Sequence, residues 1–322
     1  MLELDENDIA ELSSYCPDGI RRNVDLSKIS RWKSGGEAAL IVQPADAGQL
    51  QQIIRWFAIK GVQPLVIGQT SNLLFDDAGL NRPCIQITTR MSNIDIDGEL
   101  VIADAGVWVP RFARTLMGRG LSGAEHVCGI PGTLGGLICM NGGSQRKGIG
   151  SSVTAVESID MYGERHVRTA SECGFTYRDS VFQSNDEIVT RAQLRFDLGG
   201  RAEIRKKMLK ILSDRRKKFP LKIPNCGSVF KSNPALYNDL GPPGKIIESI
   251  GLMGMTVGSA VVSPAHANFI VNTGGATSSD ILTLINDVST KVKEATGYML
   301  EAEVYYVSAD GMKTPANLIT GQ

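Results

Sequence analysis

Histidine and cysteine are scarce in this chain, and that scarcity narrows its chemistry before any motif is read. Three histidines (His126, His166, His266) stand far apart among 322 residues. Six cysteines (Cys16, Cys84, Cys128, Cys139, Cys173, Cys226) are scattered without a CxxC pair. A zinc site and a disulfide framework are therefore not expected, and a cytoplasmic setting is the default. Charge of one sign is also lacking: 34 Lys and Arg balance 34 Asp and Glu. Nucleic-acid binders lean basic, so no nucleic-acid partner is expected. Nor is there a run fit to enter a membrane, because the uncharged stretch 127–144 carries Pro131 and six glycines. The N-terminus, MLELDENDIAELSS, is acidic and lacks the basic and apolar regions of a signal peptide. What remains is an ordinary globular composition, 42% apolar and 21% charged, long enough for two or three domains.

Several elements are legible. AALIVQ (38–43) predicts a strand, and Pro44-Ala45-Asp46 opens a helix with Leu50, Ile53, Ile54 and Phe57 on one face. Gly61 ends that helix, and Pro64–Ile67 leads as a strand into GQTSNLLF. Short strands CIQIT and LVIADAG follow, then a helix over PRFARTLMGRG and a long glycine-rich loop at 129–144. Residues 153–169 and 187–196 predict further strands, so the middle is α+β. Ten of the 22 residues at 201–222 are Lys or Arg; the run is either a solvated helix face or a receiver for a diphosphate. Thr277 and Asp280 form a capping box before the apolar stripe Ile281, Leu284, Ile285, Val288 and Val292, stopped by Gly297. The strand LEAEVYYV then puts Leu300, Ala302, Val304 and Tyr306 on one side and Glu303 on the other, facing a cleft or simply water.

Successive glycines in Gly68-Gln69-Thr70-Ser71-Asn72 and in 129–136 read either as tight turns or as an N–H lining for a pyrophosphate. Neither loop matches GxGxxG or GxxxxGK[ST]. The stretch IPNCGSVFKSNP (223–234) sets Ser228 on a glycine turn with Lys231 close behind. No GxSxG accompanies it, so a proton donor is a milder role for Ser228 than a hydrolytic nucleophile. Arg178, in TYRDSVF, joins Ser228 and Glu303 as a polar set suited to a reaction that builds charge on a carboxyl group.

Taken together, PLVIGQTSNLLF (64–75), GLSGAEHVCGIPGTLGG (120–136), MNGG (140–143), FTYRDSVF (175–182), NCGSVFK (225–231), SPAHANFIVN (263–272) and LEAEV (300–304) resemble the UDP-N-acetylenolpyruvoylglucosamine reductases. The likeness runs over roughly residues 30–308 and is closest to the shorter form, without an extra tyrosine-bearing loop. Departures include GQTSN for the usual GGGSN, Ile29-Ser30-Arg31 before Trp32, NGGSQRKG, and an inserted Ser232. The resemblance implies an α+β fold: a two-part FAD-binding module of the vanillyl-alcohol-oxidase type plus a C-terminal α+β substrate domain. The implied division is an N-terminal extension (1–20), FAD subdomains at 21–88 and 89–200, a substrate domain at 201–310 and a tail at 311–322.

It further implies FAD as cofactor, NADPH as hydride-donating cosubstrate, no metal, and UDP-N-acetylglucosamine enolpyruvate as substrate of a cytoplasmic monomer. Gly68, Gln69, Thr70, Ser71 and Asn72, with Gly129, Ile130, Gly132, Thr133 and Gly136, correspond to the FAD cradle. Arg178 corresponds to the arginine on the enolpyruvyl carboxylate, Ser228 to the general acid and Glu303 to the carboxylate across the site. Tyr177, Lys218, Lys231 and Asn268 are the implied substrate contacts. A paralogous flavin oxidoreductase for another nucleotide sugar, and a non-catalytic FAD- or sugar-nucleotide-binding protein, are the alternatives.

Overall fold

The computed structural model describes residues 4–232 and 239–319. Asn233 and Pro234, which close the stretch IPNCGSVFKSNP, lie outside these residues, as do the first three and last three positions of the chain. Two compact units form, one from Met1–Arg22, Leu40–Gln69 and Pro83–Arg215, the other from Asn23–Ala39, Thr70–Arg82 and Arg216–Gln322.

In the first unit the helix Ala47–Ile59 starts where Asp46 accepts the Gln49 N–H at 2.8 Å. It buries Leu50, Ile53, Ile54 and Phe57, as the helical spacing requires. That helix is the crossover that parallel pairing demands: Ile41-Val42 pairs with Cys84-Ile85, and Leu65–Ile67 pairs with Cys84–Gln86. A five-stranded antiparallel sheet follows, ordered Arg165–Thr169, Val153–Ile159, Ile188–Arg195, Leu100–Asp104, Ile94–Asp97. The helix Val109–Arg119 carries Pro110 in its first turn and ends at Gly120 in the left-handed region. The glycine-rich stretch 129–144 is not loop throughout, because it contains the helix Leu134–Cys139. Glycine disfavours helix by about 1 kcal/mol per residue, but the Thr133 hydroxyl caps this one and Leu134, Leu137 and Ile138 are buried beneath it. The basic helix Arg201–Lys218 buries Ile204, Met208 and Ile211 and leaves most of its cations in water.

In the second unit the helix Ser278–Thr296 has the capping box predicted for it, with the Asp280 N–H on the Thr277 hydroxyl at 3.0 Å and the Thr277 N–H on the Asp280 carboxylate at 3.0 Å. Such a cap stabilises by about 1 kcal/mol. The helix packs its apolar stripe into a core with Trp32, Phe230, Ile246 and Val262. Trp32 is pinned on both sides: its indole N–H donates to Ile270 O at 2.9 Å, and its own carbonyl accepts from the Asn272 amide at 2.8 Å. Tyr305–Val307 pairs parallel with Leu73–Phe75 and antiparallel with Lys313–Pro315.

LEAEVYYV is not one continuous strand. Only Tyr305–Val307 is regular; upstream, the N–H of Ala302 goes to the Asn317 side chain and that of Glu303 to Val229 O. Ala302 and Phe230 form an isolated antiparallel bridge there, and Asn317 sits in a short 3-10 turn, so the backbone is satisfied without an extended ladder. The predicted alternation survives: Leu300, Ala302, Val304 and Tyr306 are buried, while Glu303 stays partly open to water.

Candidate active site

The cofactor loops of the first unit are built on close backbone approach. Strand Leu65–Ile67 ends at Gly68, where an added Cβ would come within 2.7 Å of Thr133 Oγ1. Only glycine permits that contact. Buried Gln86, held by Gln43 at 2.7 Å, donates to Gly68 O at 3.3 Å and fixes the turn. Sequence reading passed over Gln86, since a polar residue inside a short strand carries no local signal.

Thr133 opens the helix Leu134–Cys139, its hydroxyl accepting the Gly136 N–H at 3.3 Å. The N–H groups of Leu134 and Gly135 go to Val107 O and Ala105 O, both at 2.8 Å. The glycines at 135 and 136 therefore contribute openness rather than free donors, and Gly136 is exposed. Gly129 lies against Arg215, whose Cδ would be 2.6 Å from an added Cβ. Burial holds the Arg215 guanidinium below its ordinary pKa. Gly129, Ile130 and Pro131 are half-exposed. A Cβ-free Gly68 and the half-exposed backbone of residues 129–131 leave room for an FAD pyrophosphate beside the loop. Gln69 is exposed, and the remaining loop residues fall in the second unit. There Thr70 takes a φ of +52° and donates its hydroxyl to Ile29 O at 3.0 Å, Ser71 is partly exposed, and Asn72 O accepts the Tyr305 N–H at 2.9 Å.

Arg178 occupies the tip of a tight turn, with Thr176 and Asp179 exchanging backbone bonds at 3.1 and 3.3 Å. Its φ is +56°, a strained left-handed value for a side-chain-bearing residue. Neighbours hold it there. Asn141 donates to Thr176 O at 2.6 Å, the Ser180 hydroxyl to Cys139 O at 2.7 Å, and Gln183 to Arg178 O at 2.9 Å. The guanidinium donates to Gly143 O at 3.2 Å and lies 5.5 Å from the centre of the Tyr177 ring, which is 48% exposed.

The Ser228 and Glu303 segments run side by side in the second unit. Gly227 turns the chain with a φ of +79°, in open space, and its N–H goes to the Asn225 side chain at 2.9 Å. The Asn225 amide in turn donates to Pro220 O and Ile223 O. Beyond the serine, Val229 O accepts the Glu303 N–H at 2.7 Å and Glu301 O accepts the Lys231 N–H at 2.8 Å. These bonds lash the serine segment to the glutamate segment. Asn268, a substrate contact by resemblance, is 3% exposed. Its amide accepts from Phe230 N–H and donates to Phe230 O, each at 2.9 Å, which makes it a brace for the serine turn. Lys218 is exposed at the end of its helix, beside the ring cluster of Phe219, His266 and Phe269. Burial, then the Lys218 charge, hold the His266 imidazole below its usual pKa. Its Nδ1 accepts the Asn268 N–H at 3.3 Å, in keeping with a neutral ring.

Residues 219–307 match the family model for the C-terminal domain of UDP-N-acetylenolpyruvoylglucosamine reductase, and residues 38–168 match an FAD-binding domain. The chain is 40% identical to UDP-N-acetylenolpyruvoylglucosamine reductase 1 of Corynebacterium glutamicum, over 98% of this chain and 97% of that protein. It is 36% identical to the enzyme of that name from Carboxydothermus hydrogenoformans, over 91% and 96%. The crystal structure of the Thermus caldophilus reductase superposes with a TM-score of 0.76 at 30% identity, covering 89% of this chain and 99% of that one. The architecture is thus an N-terminal FAD-binding module followed by a C-terminal α+β domain. With such identity sustained from end to end, the chain belongs to the UDP-N-acetylenolpyruvoylglucosamine reductase family.

Proposed function

We propose that this protein carries out the NADPH-dependent, FAD-mediated reduction of UDP-N-acetylglucosamine enolpyruvate to UDP-N-acetylmuramate, a step of peptidoglycan precursor synthesis, as a cytoplasmic monomer. The observation that carries the reading is the 40% identity over 98% of the chain to a reductase of that name. Among the described residues no helix is long and apolar enough to cross a membrane, which suits a nucleotide-sugar substrate dissolved in water. Residues 21–88 and 89–200 would serve FAD and residues 201–310 the substrate, with 1–20 and 311–322 as extension and tail.

In this reading Gly68, Gln69, Thr70, Ser71 and Asn72, with Gly129, Ile130, Gly132, Thr133 and Gly136, hold the dinucleotide. FAD held there would supply the hydride for C3 of the enol ether. Electron density then moves through C2 into the carboxylate, where the Arg178 guanidinium stabilises it electrostatically. Glu303, on the segment tied to Val229, is assigned to the same oxygens. Ser228 gives its proton to C2, which completes the saturated lactyl carbon and sets its configuration. Such a donor needs position more than acidity, and the Asn225–Gly227 turn and the Asn268 brace supply position. Tyr177, Lys218, Lys231 and Asn268 are assigned to the substrate, with Lys218 on its diphosphate.

An anaerobic flavin absorbance trace tests the reading. NADPH should bleach the purified protein, and UDP-N-acetylglucosamine enolpyruvate should restore the yellow form with one product per flavin. Bleaching without recovery would reject this substrate in favour of another nucleotide sugar, and absence of bleaching would favour a binding protein.

A further inference from the structure

We propose that Trp108 is the platform on which the adenine ring of FAD stacks. The inference rests on the cofactor cradle assigned above. Two of the three tryptophans are core residues, Trp32 at 0% and Trp56 at 4% exposure, whereas Trp108 is 40% exposed. An indole this open offers a flat apolar face to a ligand.

Its position says what covers it. Trp108 and Thr133 are directly opposed in an antiparallel bridge, flanked by Val109 N–H to Gly132 O at 3.0 Å and Leu134 N–H to Val107 O at 2.8 Å. Opposed residues in such a pair send their side chains to the same face. Thr133 sends its hydroxyl toward Gly68, 2.7 Å from where a Cβ would stand. The indole therefore rises on the cradle side of the loop. Arg114, one helical turn and a half along Val109–Arg119, sets its guanidinium 5.7 Å from the ring centre and is steadied by a bond to Pro110 O at 3.3 Å. That contact rigidifies the ring and leaves its other face for a π-system.

The direction of the dinucleotide follows from the same unit. Ser180 is hung on Cys139 O, at the far end of the helix that Thr133 begins, and Arg178 beside it on Gly143 O, just beyond that end. Six helical residues separate the ends, roughly 9 Å at the usual rise. The redox ring belongs at the Arg178 end, where the carboxylate reacts, so the end beside Trp108 is left for adenosine.

Full-length protein, freed of flavin, is titrated with FAD and separately with FMN, which lacks the adenosine half. Base–aromatic stacking contributes enough that Trp108→Leu should weaken FAD about 10-fold, with FMN affinity unchanged and Trp108→Phe close to the parent. Unaltered FAD affinity in Trp108→Leu, or equal weakening of FAD and FMN, would overturn the inference while leaving the cradle in place. Failure of the parent protein to bind FAD would overturn the cradle assignment and this inference with it.

Discussion

The loops proposed for the cofactor and for the substrate are built in opposite ways in the two units. In the first, the cofactor loops rely on missing side chains: Gly68 lets a threonine hydroxyl approach its backbone, Gly129 lies on Arg215, and Gly136 stays open. In the second, the serine turn relies on side-chain amides that are already engaged. Asn225 holds Gly227 from below, and Asn268 clamps Phe230 at both its N–H and its carbonyl. A pyrophosphate is bulky, so room beside a loop without side chains serves it. A proton delivered to one carbon must come from one place, and that requires a turn with no slack.

Substitutions should separate these strategies. Asn268→Ala leaves two backbone groups of Phe230 unpaired in a buried setting, and chemical denaturation should record a loss of about 2–4 kcal/mol. A loss below 0.5 kcal/mol would mean that the amide braces nothing. Gly68→Ala acts on the other strategy: the new Cβ displaces the Thr133 hydroxyl that caps Gly136, and FAD affinity should fall about 10-fold, in line with a lost cap. Unchanged FAD binding in Gly68→Ala would remove the cradle from the account.

The smallest effect concerns pH and touches both units. His126 in one and His266 in the other have pKa values lowered by burial. The unfolded chain therefore takes up protons first as pH falls. The stability these groups contribute is complete above about pH 6.5 and declines below it, with a slope of at most about 1.4 kcal/mol per pH unit for each histidine. His266→Gln should flatten part of that decline in a series of denaturation midpoints, and a variant with the parent's full acid sensitivity would contradict the assignment.

Local signals account for much of this architecture. The capping box at Thr277 and Asp280, the stripe of the helix Ala47–Ile59 and the burial of alternate residues from Leu300 to Tyr306 are all encoded in short windows. The helix Leu134–Cys139 is not, because its two glycines argue against helix and only packing under Leu137 and Ile138 supplies the reason for it. Nor is the double role of Asn268, which depends on a partner 38 positions away. The gathering of 23–39 and 70–82 with 216–322 into one unit is likewise a property of long-range contacts. Ser228 stands out by its place on a glycine turn and by family likeness; its support Asn225, and Gln86 under the Gly68 turn, emerge only from hydrogen bonds.

The account turns on Ser228 as proton donor, and Ser228→Ala tests it in two halves under anaerobic stopped flow. NADPH should bleach the variant's flavin at close to the parent rate, while recovery with UDP-N-acetylglucosamine enolpyruvate should slow by about 10²-fold or more, the usual cost of losing a general acid. Equal slowing of both halves, or recovery at the parent rate, would contradict the role assigned to Ser228.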